Sequence, residues 1–511
     1  MATFAKLHTA ILAYCITLLV SAPFVTAKDS SRPNIVLITI NVFRVDHLSI
    51  YGYDRVTTPA IDQLSEEALI FTKAYAQAGY TFPNMMSILT SLYPQSHQVL
   101  DIMKDQLSAK IQTLPEILSR HGYKTGWFAD LHEPHLALEA GYGRGFDDKT
   151  RIGLQLEGHE SIHQWIKKNR SDNFFIAINT RHTHTPYLPL APFREHFSAG
   201  YGIFPRSDEA YHRQFYQSVI TRLKEKDRSL SAIFPPELQI AHPEIFDGQY
   251  TPWKIVGLED LLPPEQRYKI GQLEIDFYND LINLASKESP EQLIALYDSC
   301  ILGTDQLIVE PIIRTLKEEG LYDNTLIIVT ADHGESHGEH GIYGHGPFNY
   351  EQLIHVPLII KPAKPIQPGY VTTPVMSIDL TPTILESVGI SPPFHIQGTS
   401  IYQLLDGAPA REYLFGENQE SAYLIAGKWK IILDRTALDK TFAEDHLLFD
   451  LDNDPGELID LKKIHTTIYH ELRNVVINHL NTVPVYRDTN HHFSDSLDQK
   501  TIDRIKKTGY W

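Results

Sequence analysis

Residues 324–329, Asn-Thr-Leu-Ile-Ile-Val, run directly into Thr330-Ala-Asp-His-Gly-Glu-Ser-His-Gly-Glu-His-Gly-Ile-Tyr-Gly-His345. A short β-branched run without alternation is the pattern of a parallel strand buried on both faces. Asp332 and His333 then emerge at its carboxyl end, where open α/β sheets place their ligands. A carboxylate beside an imidazole, followed by glycines that let backbone approach closely, suits a divalent metal with mixed oxygen and nitrogen ligands. A polar turn with surface histidines is the competing reading of the same run.

Further buried strands are expected at about 34–40, 71–75 and 174–179. Residues 57–69 carry apolar side chains at helical spacing, with Thr58 as cap and Pro59 in the first turn. Other helices are expected at 162–168, 295–308 and 377–385, the last ending near Gly389. Residues 422–433 have the pattern of a hairpin turning at Gly427, and Lys428 on it is either solvated or a pocket residue. A chain of 511 residues is long enough for about three domains and a large core. Its formal net charge of -18 argues against nucleic acid or an anionic membrane as partner. An anionic substrate stays possible, because a bound metal dominates the field of its own site.

Residues 1–27 have the form of a secretory signal, with Lys6, an apolar core at 10–20 and Val25-Thr-Ala27 before the cut. The apolar run is short for a membrane anchor, so no stable span is expected after cleavage, and the protein is expected to be periplasmic or secreted. Cys15 leaves with the signal. Cys300 is then alone, no internal disulfide forms, and it fits a core position better than a reactive one.

Two more stretches add to the Asp332–His333 pair: Arg32-Pro-Asn-Ile-Val-Leu-Ile-Thr-Ile-Asn-Val-Phe-Arg44, and Thr81-Phe-Pro-Asn-Met-Met-Ser-Ile-Leu-Thr-Ser-Leu-Tyr-Pro94. Together, and in this order, they resemble the sulfatase family of the alkaline phosphatase superfamily, over about residues 33–461. The resemblance implies an α/β fold: a large central, mostly parallel sheet flanked by helices, with a smaller C-terminal α+β domain. It places a catalytic domain at 28–397, a variable insertion within it at about 200–289, and the C-terminal domain at 398–511. The insertion is either a cover over the pocket mouth that sets substrate choice, or scaffold decoration or a dimer contact.

The resemblance also assigns roles. Thr81 takes the place of the nucleophile, and Asn41, Thr81, Asp332 and His333 that of the metal ligands. His184 in His-Thr-Pro-Tyr187, together with His345 and His132, takes the places that hold the ester oxygens and protonate the leaving group. His182 is either a second donor or a plain loop histidine. The family's usual nucleophile is a Cys or Ser oxidised to formylglycine. Threonine cannot yield an aldehyde, so no formylglycine is expected and a metal-activated hydroxyl takes its place. Thr81 is otherwise read as a cap on a helix over 87–92.

Three positions depart from the family pattern. Asn41 replaces an Asp ligand and removes one negative charge. Met85 replaces an Arg that many members carry. Asp130 stands where a Lys holds the sulfate, and is either a compensating metal ligand or a solvated carboxylate. The expected activity is hydrolysis, or transfer, of a sulfate or phosphate ester that is small, glycan-linked or lipid-linked, with one Zn, Mn or Ca ion. The alternative is a binding protein of the same fold that has lost turnover.

Overall fold

The computed structural model describes residues 32–101, 105–129, 140–152, 156–185, 187, 189–190, 192–193, 196–197, 290–438, 440 and 445–486. The signal at 1–27, the insertion at about 200–289, Asp130 and His132 lie outside the described residues.

The strands of the main sheet are β1 (Asn34–Ile40), β2 (Leu69–Tyr75), β3 (Lys124–Ala129), β4 (Asp148–Arg151), β5 (Phe174–Thr180) and β6 (Thr325–Ala331). After the short ribbon β7 (Ser336–His337) and β8 (Tyr343–Gly344) come β9 (His355–Lys361), β10 (Gly369–Val371) and β11 (Val375–Met376). The nine-stranded sheet has the order β10-β2-β9-β6-β1-β5-β3-β4, with β11 also on β2. All its pairings are parallel except those of β9 with β2 and β6. β1, β5 and β6 are buried along their whole length, as their unbroken apolar runs require. Each Ile or Leu so enclosed contributes roughly 1.5–3 kcal/mol.

Register is what positions the site. Ile40 lies opposite both Thr180 of β5 and Ala331 of β6, so Asn41, Arg181 and Asp332 leave three adjacent strands at one level. β6 begins one residue later than expected and continues through Ala331, and β2 starts at Leu69 because Leu69 and Ile70 are also buried. The helix after Thr58 spans Pro59–Ser65, but Thr58 gives no side-chain cap; its hydroxyl bonds Asp62 Oδ1 at 2.9 Å. Two backbone N–H groups of that helix, from Ala60 and Ile61, donate instead to Asp305 at 2.8 and 2.9 Å. The helix expected at 295–308 is Pro290–Thr304, with Cys300 buried on it.

The C-terminal sheet is antiparallel, β12 (Leu414–Glu417), β13 (Ser421–Ala426), β14 (Trp429–Asp434) and β15 (Leu447–Asp450), covered by the helix Thr466–Thr482. Gly427, with φ 59°, makes the turn between β13 and β14. Lys428 pairs with Asp450 at 2.5 Å within this sheet. Tyr423, Ile425 and Ile432 pack with Tyr75, Leu353 and Ile354 of the main sheet and its flank. Fully buried Lys430 lies 3.0 Å from Glu351 and 2.7 Å from Glu457, so both carboxylates clasp one ammonium between the sheets. Among the described residues no helix is long and apolar enough to cross a membrane.

Candidate active site

Thr81 is the first residue of the helix Thr81–Thr90, and Tyr80 holds the cap position. The helix therefore starts earlier than expected, and Thr81 does not cap it. Its Oγ1 instead meets Asn41 Nδ2 at 2.9 Å and His333 Nε2 at 3.2 Å. Asn84 explains the early start. Its Oδ1 accepts from Ala78 N at 2.9 Å and its Nδ2 donates to Tyr80 O at 3.0 Å, tying the helix's first turn to the loop before it. Gly79 lets that loop press on residues 346–348, since a methyl there would stand 2.1 Å from Phe348 O.

Asp332 and His333 are completely buried. Asp332 Oδ1 accepts from Val42 N at 3.3 Å and His333 N at 2.9 Å, while Oδ2 accepts from Asn41 Nδ2 at 2.5 Å. His333 Nδ1 lies 2.7 Å from Gly334 O. A carbonyl only accepts, so Nδ1 carries the hydrogen and Nε2 turns a lone pair to Thr81. Burial pushes this imidazole below its usual range and neighbouring His345 adds to that, against the pull of Asp332. It is therefore neutral at neutral pH and ready to act as a ligand.

Asn41 Oδ1 is buried with no hydrogen-bond partner. One carboxylate, one neutral imidazole and one hydroxyl meet here, a mixed set that fits a divalent ion; Asn41 turns Nδ2 to Asp332 and Thr81, and its buried, unpartnered oxygen would join them as a ligand once the amide is turned over. Among the described residues no group of three or more His, Cys, Asp or Glu forms a metal cluster, so the amide and the hydroxyl are needed to complete the set.

His345 packs its ring 4.6 Å from His333 and 4.8 Å from His184. The fold thus brings Asn41, Thr81, Asp332, His333, His345 and His184 together. His182 turns elsewhere, with Nδ1 2.7 Å from Thr180 Oγ1 and its ring 5.0 Å from His159. Met85 is buried, its sulfur 3.7 Å from Asn179 Nδ2.

Sequence reasoning missed Glu335, whose Oε1 lies 2.9 Å from His345 Nδ1 although the carboxylate is wholly buried. An acid two places after the Asp-His pair in a glycine-rich turn was the available signal. It also missed the layer beneath: Arg44 bonds Asp46, Glu339 and Glu335 O. That layer buries His337, which burial holds well below its usual pKa.

The family model described as Sulfatase matches residues 33–156 and 159–390. A second, described as N-sulphoglucosamine sulphohydrolase, C-terminal, matches 338–483. An arylsulfatase of Clostridium perfringens (strain 13 / Type A) is 24% identical over 475 residues, covering 88% of this chain and 94% of the relative. An N-acetylglucosamine-6-O-sulfatase of Bacteroides thetaiotaomicron is 24% identical over 409 residues, covering 74% and 72%. Among solved structures, one described as a complex with its substrate D-glucosamine-2-N,6-O-disulfate has a TM-score of 0.63 at 18% identity, covering 94% of this chain and 99% of that one. A phosphonate monoester hydrolase of Agrobacterium radiobacter has a TM-score of 0.61 at 20% identity, covering 88% and 95%. At these identities the structures establish the shared fold. The comparisons lend no support to the expectation that formylglycine is absent, since sulfatases typically use it; what this chain carries at that place is Thr81.

Proposed function

The chain belongs to the sulfatase family, a family of sulfuric ester hydrolases, and from that premise we propose that it is exported and cleaves sulfate esters of sugars with Thr81 as nucleophile. One observation carries the assignment of the nucleophile: Thr81 Oγ1 is not used as a helix cap but is held between Asn41 and His333, beside Asp332. A sugar substrate is supported by relatives named for sulfated amino sugars. The binding-protein alternative is not favoured, because relatives named as sulfatases match across 88% of this chain.

Asp332, His333, Asn41 and Thr81 would hold one divalent ion, which when bound lowers the pKa of the threonine hydroxyl and draws charge from the sulfuryl oxygens. Thr81 Oγ, its proton lost to solvent, attacks sulfur. The bond from sulfur to the sugar oxygen breaks, its electron pair goes to that oxygen, and His345, with His184 beside it, supplies the proton. Water then attacks the sulfur of the threonine sulfate ester, Oγ leaves, and sulfate is released with Thr81 restored. An acceptor alcohol in place of water would make the same centre a transferase.

The test is release of sulfate from 4-nitrophenyl sulfate and from glucosamine 6-sulfate, with 4-nitrophenyl phosphate alongside. Mass spectrometry of the peptide holding residue 81 accompanies it. Thr81→Ala should lose about a thousandfold or more in kcat with its circular dichroism unchanged. Wild-type activity in that variant would refute the nucleophile, a modified residue 81 would refute the free hydroxyl, and no release from any ester would return the binding-protein reading.

A further inference from the structure

Glu335 is completely buried, a rare state for a carboxylate unless it is paired. Its partner is His345, with Oε1 2.9 Å from Nδ1. A carboxylate only accepts, so the hydrogen lies on Nδ1, and the chemistry of the ring at its other edge belongs to Nε2. The backbone at Glu335 is held firmly, while its second carboxylate oxygen, Oε2, is buried without a partner. Arg44 Nη1 donates to its carbonyl at 3.0 Å. The preceding Gly334 donates to Leu353 O at 2.7 Å and lies so close to the Gln352 carbonyl that a methyl would fall 1.9 Å from its oxygen. On the other side Gly344, with φ 88°, opens the space where Oε1 meets the imidazole; a methyl there would lie 3.9 Å from that oxygen. His345, in turn, is packed against His333 and His184.

We propose that Glu335 is the positioning residue for His345. By holding Nδ1–H it fixes one tautomer and one ring plane, so that Nε2 is the nitrogen presented to the sugar oxygen as the bond from sulfur breaks. A carboxylate on the far nitrogen is the arrangement that lets an imidazole carry a proton and hand it over at the near one. Glu335 touches no substrate and acts through His345. This inference rests on the reading of Thr81 as nucleophile and His345 as proton donor.

The test compares Glu335→Ala and Glu335→Gln with wild type on two leaving groups. 4-Nitrophenyl sulfate has a leaving group that requires little help, and glucosamine 6-sulfate has one that requires a proton. Glu335→Ala should lose about a hundredfold in kcat on the sugar ester, less than about tenfold on the nitrophenyl ester, and little in KM on either. Glu335→Gln keeps the shape but loses the charge and can turn an N–H donor to Nδ1, so it should show the same split between the esters at about tenfold on the sugar ester, and it serves if the alanine variant does not fold. Equal losses on both esters, or none, would overturn the proposal. Thr81→Ala measured in parallel reports separately on the nucleophile. Independently of turnover, nitrogen-15 spectra of histidine-labelled protein should place a proton on His345 Nδ1 and change in Glu335→Gln. A His345 signal with Nδ1 unprotonated in wild type would equally overturn it.

Discussion

Asn41→Asp changes the centre by one atom, oxygen for Nδ2, and the consequence can be worked from the contacts. The new oxygen stands where Nδ2 now lies, 2.5 Å from Asp332 Oδ2 and 2.9 Å from Thr81 Oγ1. A donor facing an acceptor becomes two acceptors face to face. Unit charges about 3 Å apart at an effective dielectric constant of about 20 repel by about 5 kcal/mol. Two such carboxylates escape part of this by sharing a proton, so the chelated variant should lose about 2–4 kcal/mol of stability. A divalent ion reverses the sign. The formal charge of the ligand set goes from one negative to two, and affinity should rise at least about tenfold. Urea unfolding in chelator reads the first effect; calorimetric titration with Zn, Mn and Ca reads the second. A variant as stable as wild type in chelator and no tighter for any of the three ions would refute this account of the site.

Two further outcomes follow from packing and burial. Gly334→Ala would put a methyl 1.9 Å from the Gln352 carbonyl oxygen, on the backbone of the short helix Glu351–Ile354 that leads into β9. It should cost more than about 3 kcal/mol in urea unfolding, or displace the Asp332–His333 turn and abolish metal binding. His97 is buried with Val99 N donating to Nδ1 at 3.0 Å and Nε2 3.1 Å from Ser87 Oγ. Burial pushes its pKa from 6.5 down to about 3, with a bond to the Pro83 carbonyl acting weakly against it. The unfolded chain takes up this proton below about 6.5 and the folded one only below about 3. Stability is therefore full above 6.5 and falls, by a few kcal/mol, as pH drops through that window. His97→Gln should flatten the slope between urea midpoints at pH 7 and pH 5.

Some of this site was legible because its parts sit at the ends of unbroken apolar strands. The runs at 34–40 and 324–329 locate β1 and β6, the second to within two residues of its end, and with them Asn41, Asp332 and His333. The direction of a hydroxyl was not legible. Thr58 and Thr81 both stand shortly before a proline, and neither hydroxyl caps a helix: Asp62 takes the first, while Asn41 and His333, just past neighbouring strand ends, take the second. Glu335 and His337 were obscured for a related reason. In a run dense with Gly, His and Glu, burial is decided by what lies beneath, and Arg44 and Tyr297, distant in sequence, supply that layer. Lys430 carries no local signal of its burial, because Glu351 and Glu457, which clasp it, are distant in sequence.

That clasp bears on how this molecule can be inherited or rebuilt. Glu351 opens the short helix whose next residues, Gln352 and Leu353, form the wall behind Gly334, and Glu351 N itself donates to Glu457 at 2.6 Å. The distal sheet thus braces the very segment against which the Asp332–His333 turn is set. A chain shortened before β12 would leave a carboxylate without its ammonium and open Leu353 and Ile354 to water, immediately behind the Asp332–His333 turn. The two sheets are accordingly one module for recombination: a graft that brings a foreign C-terminal part must also bring a matching lysine and glutamate, or it will loosen the Asp332–His333 turn from the back.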